Sequence, residues 1–199
     1  MTASGAARGR PRAFDREAAL NAATLLFWER GYEATSIADL TGAMGIRPPS
    51  LYAAFGDKRA LFTEVVARYA EQYGFARRAL DEEPTVRGGI ARMLRDAARE
   101  YTDPGHPHGC LIITVGGGCA EPAVREAMQA ISAANRAELA ARIAAAVAAG
   151  EEPAEAEPET LARLAATVLQ GMSQQAREGA SREQLEAVAA AAMRAWPTA

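Results

Sequence analysis

Cysteine is scarce in this chain, with two residues in 199, and lysine is scarcer still, with Lys58 alone. Two thiols cannot build a disulfide framework, and a reducing, cytoplasmic setting suits them. No charge-free apolar run reaches the roughly 18 residues a membrane-spanning helix needs. The arginines near the start are followed by no apolar segment, which argues against a secretory signal peptide. Aromatics make up 6% of the chain against 49% apolar residues, so alanine carries much of the apolar fraction. With few β-branched runs, that composition favours helices. The motifs of common enzymes are missing too: no G-x-S-x-G, P-loop, H-E-x-x-H or G-x-G-x-x-G occurs. The Gly116-Gly117-Gly118 run lacks the Lys-Ser/Thr that would make it a phosphate cradle. A net charge of −3 argues against a generic nucleic-acid coat protein. Yet Arg8, Arg10 and Arg12 precede the first acid, Asp15, and such a local basic arm suits docking to phosphate.

The punctuation divides the chain into helices. Residues 1–14 form a basic, flexible arm. Asp15 can cap a first helix to about Arg30, ended by Gly31. Thr35 or Ser36 caps a second, which stops before Gly45, with Ile46 as a core plug. A third starts near Pro48, where proline is tolerated in the first turn, and ends at Gly56. Asp57 caps a fourth, expected to run to about Leu80. Pro84 opens a fifth to Tyr101, weakened locally by Gly88 and Gly89. DPGHPHG then breaks the chain. CLIITVGGG has strand-like residues, but its helical neighbours favour a short helix. Glu121-Pro122 opens a long helix to about Ala149, an acidic loop follows, and two striped helices close the chain. The expected fold is all-α, with about nine helices. Its units are an arm (1–14), a DNA-reading head (15–56) and a helical body (57–199).

Residues 36–56, SIADLTGAMGIRPPSLYAAFG, carry the most information. They read as helix, sharp glycine turn, helix, the layout of a helix-turn-helix DNA reader. Several segments together resemble the TetR family of bacterial transcriptional repressors: the arm ARGRPRAF, the stretch AALNAATLLFWERGYEATSIADL, the turn AMGI, the helix PPSLYAAF, and GDKRALFTEVV. The likeness covers about residues 8–70, and the body matches only in helix count and order. It implies a homodimer with a three-helix DNA-binding head and a helical body for ligand binding and dimerisation. Double-stranded operator DNA would be one partner and a small, lipophilic effector the other, with no cofactor and no membrane. Repression is the family's usual outcome. A helical scaffold and an enzyme are the rival classes.

By matching positions, Arg47, Pro48, Pro49, Ser50 and Tyr52 would face base edges. Arg47 either forks onto a guanine or holds a phosphate. The paired prolines depart from the more usual polar residues and offer apolar contact to thymine methyls. Thr35, Ser36, Tyr52 and Lys58 fit phosphate contacts at helix starts. Arg8-Gly9-Arg10-Pro11 resembles an AT-hook core that enters a narrow minor groove, or is a solvated tail.

Both histidines and both cysteines fall in one window: His106, His108, Cys110 and Cys119. Three readings are open: packing, a thiol sensor at Cys110 with its pKa lowered beside His108, and a soft-ligand metal set. Met93, Tyr101, Cys110, Leu111, Met128, Leu169 and Met172 are candidates to line an apolar effector cavity. Stripes at Leu161, Leu164, Val168 and at Leu185, Val188, Ala192, Trp196 suit a four-helix dimer bundle. Deleting residues 1–12 should lower operator affinity and flatten its salt dependence, measured by binding titrations across ionic strength. An unchanged slope would make the arm a passive tail.

Overall fold

In a computed structural model, residues 15–197 are described, and the arginines of the arm lie outside them. The described residues form ten helices and no strand. The head holds α1 (Arg16–Arg30), α2 (Ile37–Met44) and α3 (Pro48–Phe55). Asp15 caps α1 by accepting from Ala18 N–H, and Gly31 ends it at φ 78°. Ser36 and Asp39 cap α2 reciprocally. Gly45 turns the chain with φ 67°, a conformation that favours glycine.

The fourth predicted helix is two. α4 (Lys58–Gln72) ends before Gly74, and α5 (Phe75–Glu82) starts after it. A Cβ at position 74 would lie 2.9 Å from the Ala70 carbonyl, so the close corner requires glycine. This break supplies the helix beyond the expected nine. α6 (Val86–Tyr101) is capped by Thr85, whose hydroxyl accepts from Gly88 N–H, rather than opened by Pro84. Gly89 allows α5 a close approach: a Cβ there would lie 3.1 Å from Leu80 Cα. That paired glycine, expected to weaken α6, instead seats α5 against it.

α7 (Leu111–Gly116), α8 (Pro122–Ala148), α9 (Pro158–Arg177) and α10 (Arg182–Arg194) complete the body. The CLIITV segment is therefore helical, as its neighbours required. Two apolar cores form. One joins α1–α4 to α7 and the start of α8, through Leu111, Val115, Val124 and Met128. The other joins α5, α6, α9 and α10 to the end of α8, through Leu139 and Ile143. α8 contributes to both because 27 residues span about 40 Å. Half-buried Cys110 packs against both cores.

Trp28 is fully buried where head meets body. Tyr69 and Tyr73 meet its ring edge-on, each at 5.0 Å, and His106 stacks on it at 4.3 Å. Trp28→Ala should cost about 3–5 kcal/mol in denaturant unfolding. A loss below about 1 kcal/mol would mean that the ring stack is not what holds this joint.

Candidate DNA-reading head and effector cavity

The turn between α2 and α3 leaves one edge of the head open. Arg47, Pro48, Pro49 and Ser50 are exposed, as is half of Tyr52, while Leu51 and Phe55 on the opposite side are buried. The two prolines occupy the first turn of α3 with Arg47 as N-cap. This alternation divides α3 into a core face and a face for something outside.

Two predicted phosphate contacts are placed differently. Thr35 is fully buried and its hydroxyl donates to the Gly31 carbonyl at 2.7 Å. That hydroxyl closes the α1–α2 turn and is not offered to DNA. Lys58 is half-buried, with Nζ 4.2 Å from the centre of the Tyr32 ring. Burial pulls its pKa below the usual lysine range, and the nearby Glu33 opposes that shift. To reach a phosphate, Lys58 must leave Tyr32. Ser36 is exposed, but its hydroxyl and amide are committed to the Asp39 capping box.

Glu33 ties the α1–α2 turn to the body. Its carboxylate accepts from Glu121 N–H at 2.8 Å and from Cys119 Sγ at 3.5 Å. The Glu121 amide, then the thiol, hold the Glu33 carboxyl below the ordinary carboxylate range. Burial pushes the Cys119 thiol up.

The 106–119 window does not form a metal site. Among the described residues no group of three or more His, Cys, Asp or Glu side chains could hold a metal ion. His106 stacks on Trp28, with Nε2 3.0 Å from Glu100 Oε1. His108 is exposed and Cys119 bonds Glu33. Packing separates residues that lie close in sequence. The activated thiol is also revised: burial pushes Cys110 up, and the Tyr69 hydroxyl and the α7 amides only partly offset this. Its accessible part faces a cavity rather than bulk water.

That cavity, about 330 Å³, lies between α4, α5, α6, α7, α8 and α9. Of the seven candidates, Met93, Tyr101, Cys110 and Leu169 line it. Leu111, Met128 and Met172 do not, because they point into the two cores. Sequence reasoning missed Tyr69, Tyr73, Phe75, Ile112, Ile131 and Asn135, which also line the wall. The i, i+4 tyrosine pair just before Gly74 was a readable signal, since such residues share a helix face. The break after it was not foreseen.

The predicted dimer stripes also divide. Leu161, Leu185 and Trp196 are buried in this chain's own core, so they present nothing to a partner. Leu164 and Val188 are exposed, with Val168 and Ala192 half-buried near them in sequence.

α9 connects cavity and head. Leu169 and Gln170 stand on the cavity wall. Buried Ser173, one turn on, accepts Cys110 N–H at 2.9 Å. Gly109, at φ 83°, lets the loop pass: a Cβ there would lie 2.8 Å from the Ser173 carbonyl. Arg177 then donates to the Trp28 carbonyl at 3.3 Å and the Glu29 carbonyl at 3.4 Å. These are terminal carbonyls of α1, where a cation also favours the helix dipole.

Known proteins are similar to this chain in sequence and fold. Residues 19–65 match the family described as "Bacterial regulatory proteins, tetR family", and residues 89–193 match the "Tetracyclin repressor-like, C-terminal domain". The chain is 36% identical over 197 residues to the HTH-type transcriptional repressor ComR of Escherichia coli (strain K12), covering 96% of this chain and 92% of that one. It is 38% identical over 195 residues to the HTH-type transcriptional repressor BdcR of the same organism, covering 96% and 93%. A cysteine mutant of the TetR family transcriptional regulator CifR, complexed with 26bp double-strand operator DNA, superposes with a TM-score of 0.88. The identity is 45%, over 95% of this chain and 100% of that one. Its exposed α3 edge and helical body are thus those of a DNA-binding transcriptional regulator rather than an enzyme, and the chain belongs to the TetR family.

Proposed function

We propose that this protein is a repressor that binds a near-palindromic operator as a homodimer and releases it when a small apolar molecule fills the cavity. The observation that carries this reading is the run along α9 from Leu169 on the cavity wall to Arg177 on the α1 carbonyls. A molecule that displaces α9 changes the footing of α1, and α1 carries α2 and α3. The naming of ComR and BdcR as repressors supports the direction of control, and the CifR complex supports an operator as the partner.

Exposed Leu164 on α9 and Val188 on α10 support dimerisation, because a second copy would cover them. Twofold symmetry makes the operator nearly palindromic, with half-sites at least one helical turn apart. The domain division at residue 56 separates the reading head from α4, which links it to the cavity. On DNA, Arg47, Ser50 and Tyr52 supply the polar contacts of α3, with Pro48 and Pro49 as apolar ones. The cavity wall is mainly aromatic and aliphatic, which suits a lipophilic effector.

Arg47→Ala should relax specificity at one operator position by about 1–3 kcal/mol, read from binding to single-base operator variants. Equal loss on every sequence would make Arg47 a phosphate contact only. Arg177→Ala should leave the free protein on its operator but shrink effector-driven release by about fivefold or more. The test is a titration of the operator complex with a releasing compound found by screening the parent protein. Undiminished release in this variant would place the coupling elsewhere.

A further inference from the structure

The charged groups on the cavity wall are unequally satisfied. Glu138 accepts from Arg142 Nη2 at 3.1 Å, so the one carboxylate on the wall is neutralised. Arg77 is largely exposed and only 3.9 Å from Asp81. Arg136 differs from both. It is half-buried, and its guanidinium bonds the Ser132 carbonyl of its own helix at 3.3 Å. Among the described residues it forms no ion pair with any carboxylate. A guanidinium carries five donors, and one partly withdrawn from water without a counter-charge is costly. A second polar group is also open. Tyr101 is 3% exposed on the cavity wall, and its hydroxyl makes no hydrogen bond among the described residues. The wall also carries the apolar side chains of Met93, Ile131 and Leu169.

We infer that the cavity takes a small monocarboxylate with an apolar body, its carboxylate paired with Arg136. This rests on the effector role proposed for the cavity and adds the chemical class of the effector. The planar guanidinium fork matches a carboxylate with two parallel hydrogen bonds. The apolar body lies against Met93, Ile131 and Leu169, with Tyr101 offering a hydroxyl to any acceptor it carries. An organic cation finds no unpaired carboxylate on this wall. A neutral molecule leaves Arg136 without a counter-charge.

The test is calorimetric titration of the full chain with 4-phenylbutyrate and with the isosteric neutral 4-phenylbutyramide at neutral pH. The parent is compared with Arg136→Gln, Arg136→Lys and Leu169→Trp. The acid should bind at least about tenfold more tightly than the amide, the scale of one charge-assisted hydrogen bond. Arg136→Gln should erase that preference, Arg136→Lys should restore part of it, and Leu169→Trp should block both compounds. Equal binding of acid and amide, or a preference that survives in Arg136→Gln, overturns the carboxylate assignment. If Leu169→Trp blocks operator release by a neutral compound while the acid shows no advantage, the class falls and the cavity role stands. If Leu169→Trp binds the acid as the parent does, the cavity itself is the wrong site and both readings fall.

Discussion

The end of α1 is the constraint on which the rest of the molecule depends. Trp28 places its ring among Tyr69, Tyr73 and His106, and its carbonyl under Arg177. One residue thus joins the reading head to α4, to the loop before α7 and to α9. Its ring contributes mainly through burial, which has no direction, and through ring geometry, which does. Its carbonyl adds a polar tie to α9, beside that of Glu29. On the proposed release mechanism, a joint of this kind passes a shift of α9 to the head, because packed cores deform little before they rearrange.

The head was legible from the sequence because its signals are local. Asp15, Ser36 and Asp57 each cap a helix, and Gly31, Gly45 and Gly56 each end one at positive φ. These devices depend on neighbours within four residues, so a one-dimensional reading finds them. The core face of α3 was legible for the same reason: Leu51 and Phe55 lie one turn apart. Thr35 was misread because its position at a helix start suggests exposure, while it is fully buried with its hydroxyl on the Gly31 carbonyl. The window from His106 to Cys119 left packing, thiol and metal readings open for a different reason. Its four soft side chains are close along the chain, but α7 and the loops around it send them to separate partners. The break at Gly74 could not be foreseen from periodicity, because a helix can tolerate one glycine. The corner is decided by contacts of Tyr73 with Trp28 and of Phe75 with Tyr101, and those partners are remote in sequence. Arg177 gave no signal at all, since nothing local separates it from other arginines at helix ends.

Burial also sorts the two thiols and the charges around them. Cys110 sits at the start of a helix, where a thiolate is usually favoured. Its surroundings are the aromatic wall and the two apolar cores, and that desolvation outweighs the short helix. Cys119 is raised by burial too, yet it still serves Glu33 as a donor. Glu33 keeps its charge because the Glu121 amide meets it.

The paired prolines decide how α3 can hold DNA. A helix start normally presents free N–H groups to an anion. Pro48 and Pro49 have none, and the next two amides, of Ser50 and Leu51, already donate to the Arg47 carbonyl. From Pro48 to Leu51 the backbone of α3 therefore has no donor left for a phosphate. On the proposed reading, polar contact along this turn falls to the exposed side chains of Arg47, Ser50 and Tyr52. The prolines also fix the first turn, so Arg47 projects from a stiff base. A side chain held this way loses less freedom on contact, which favours selectivity for one base geometry over general adhesion.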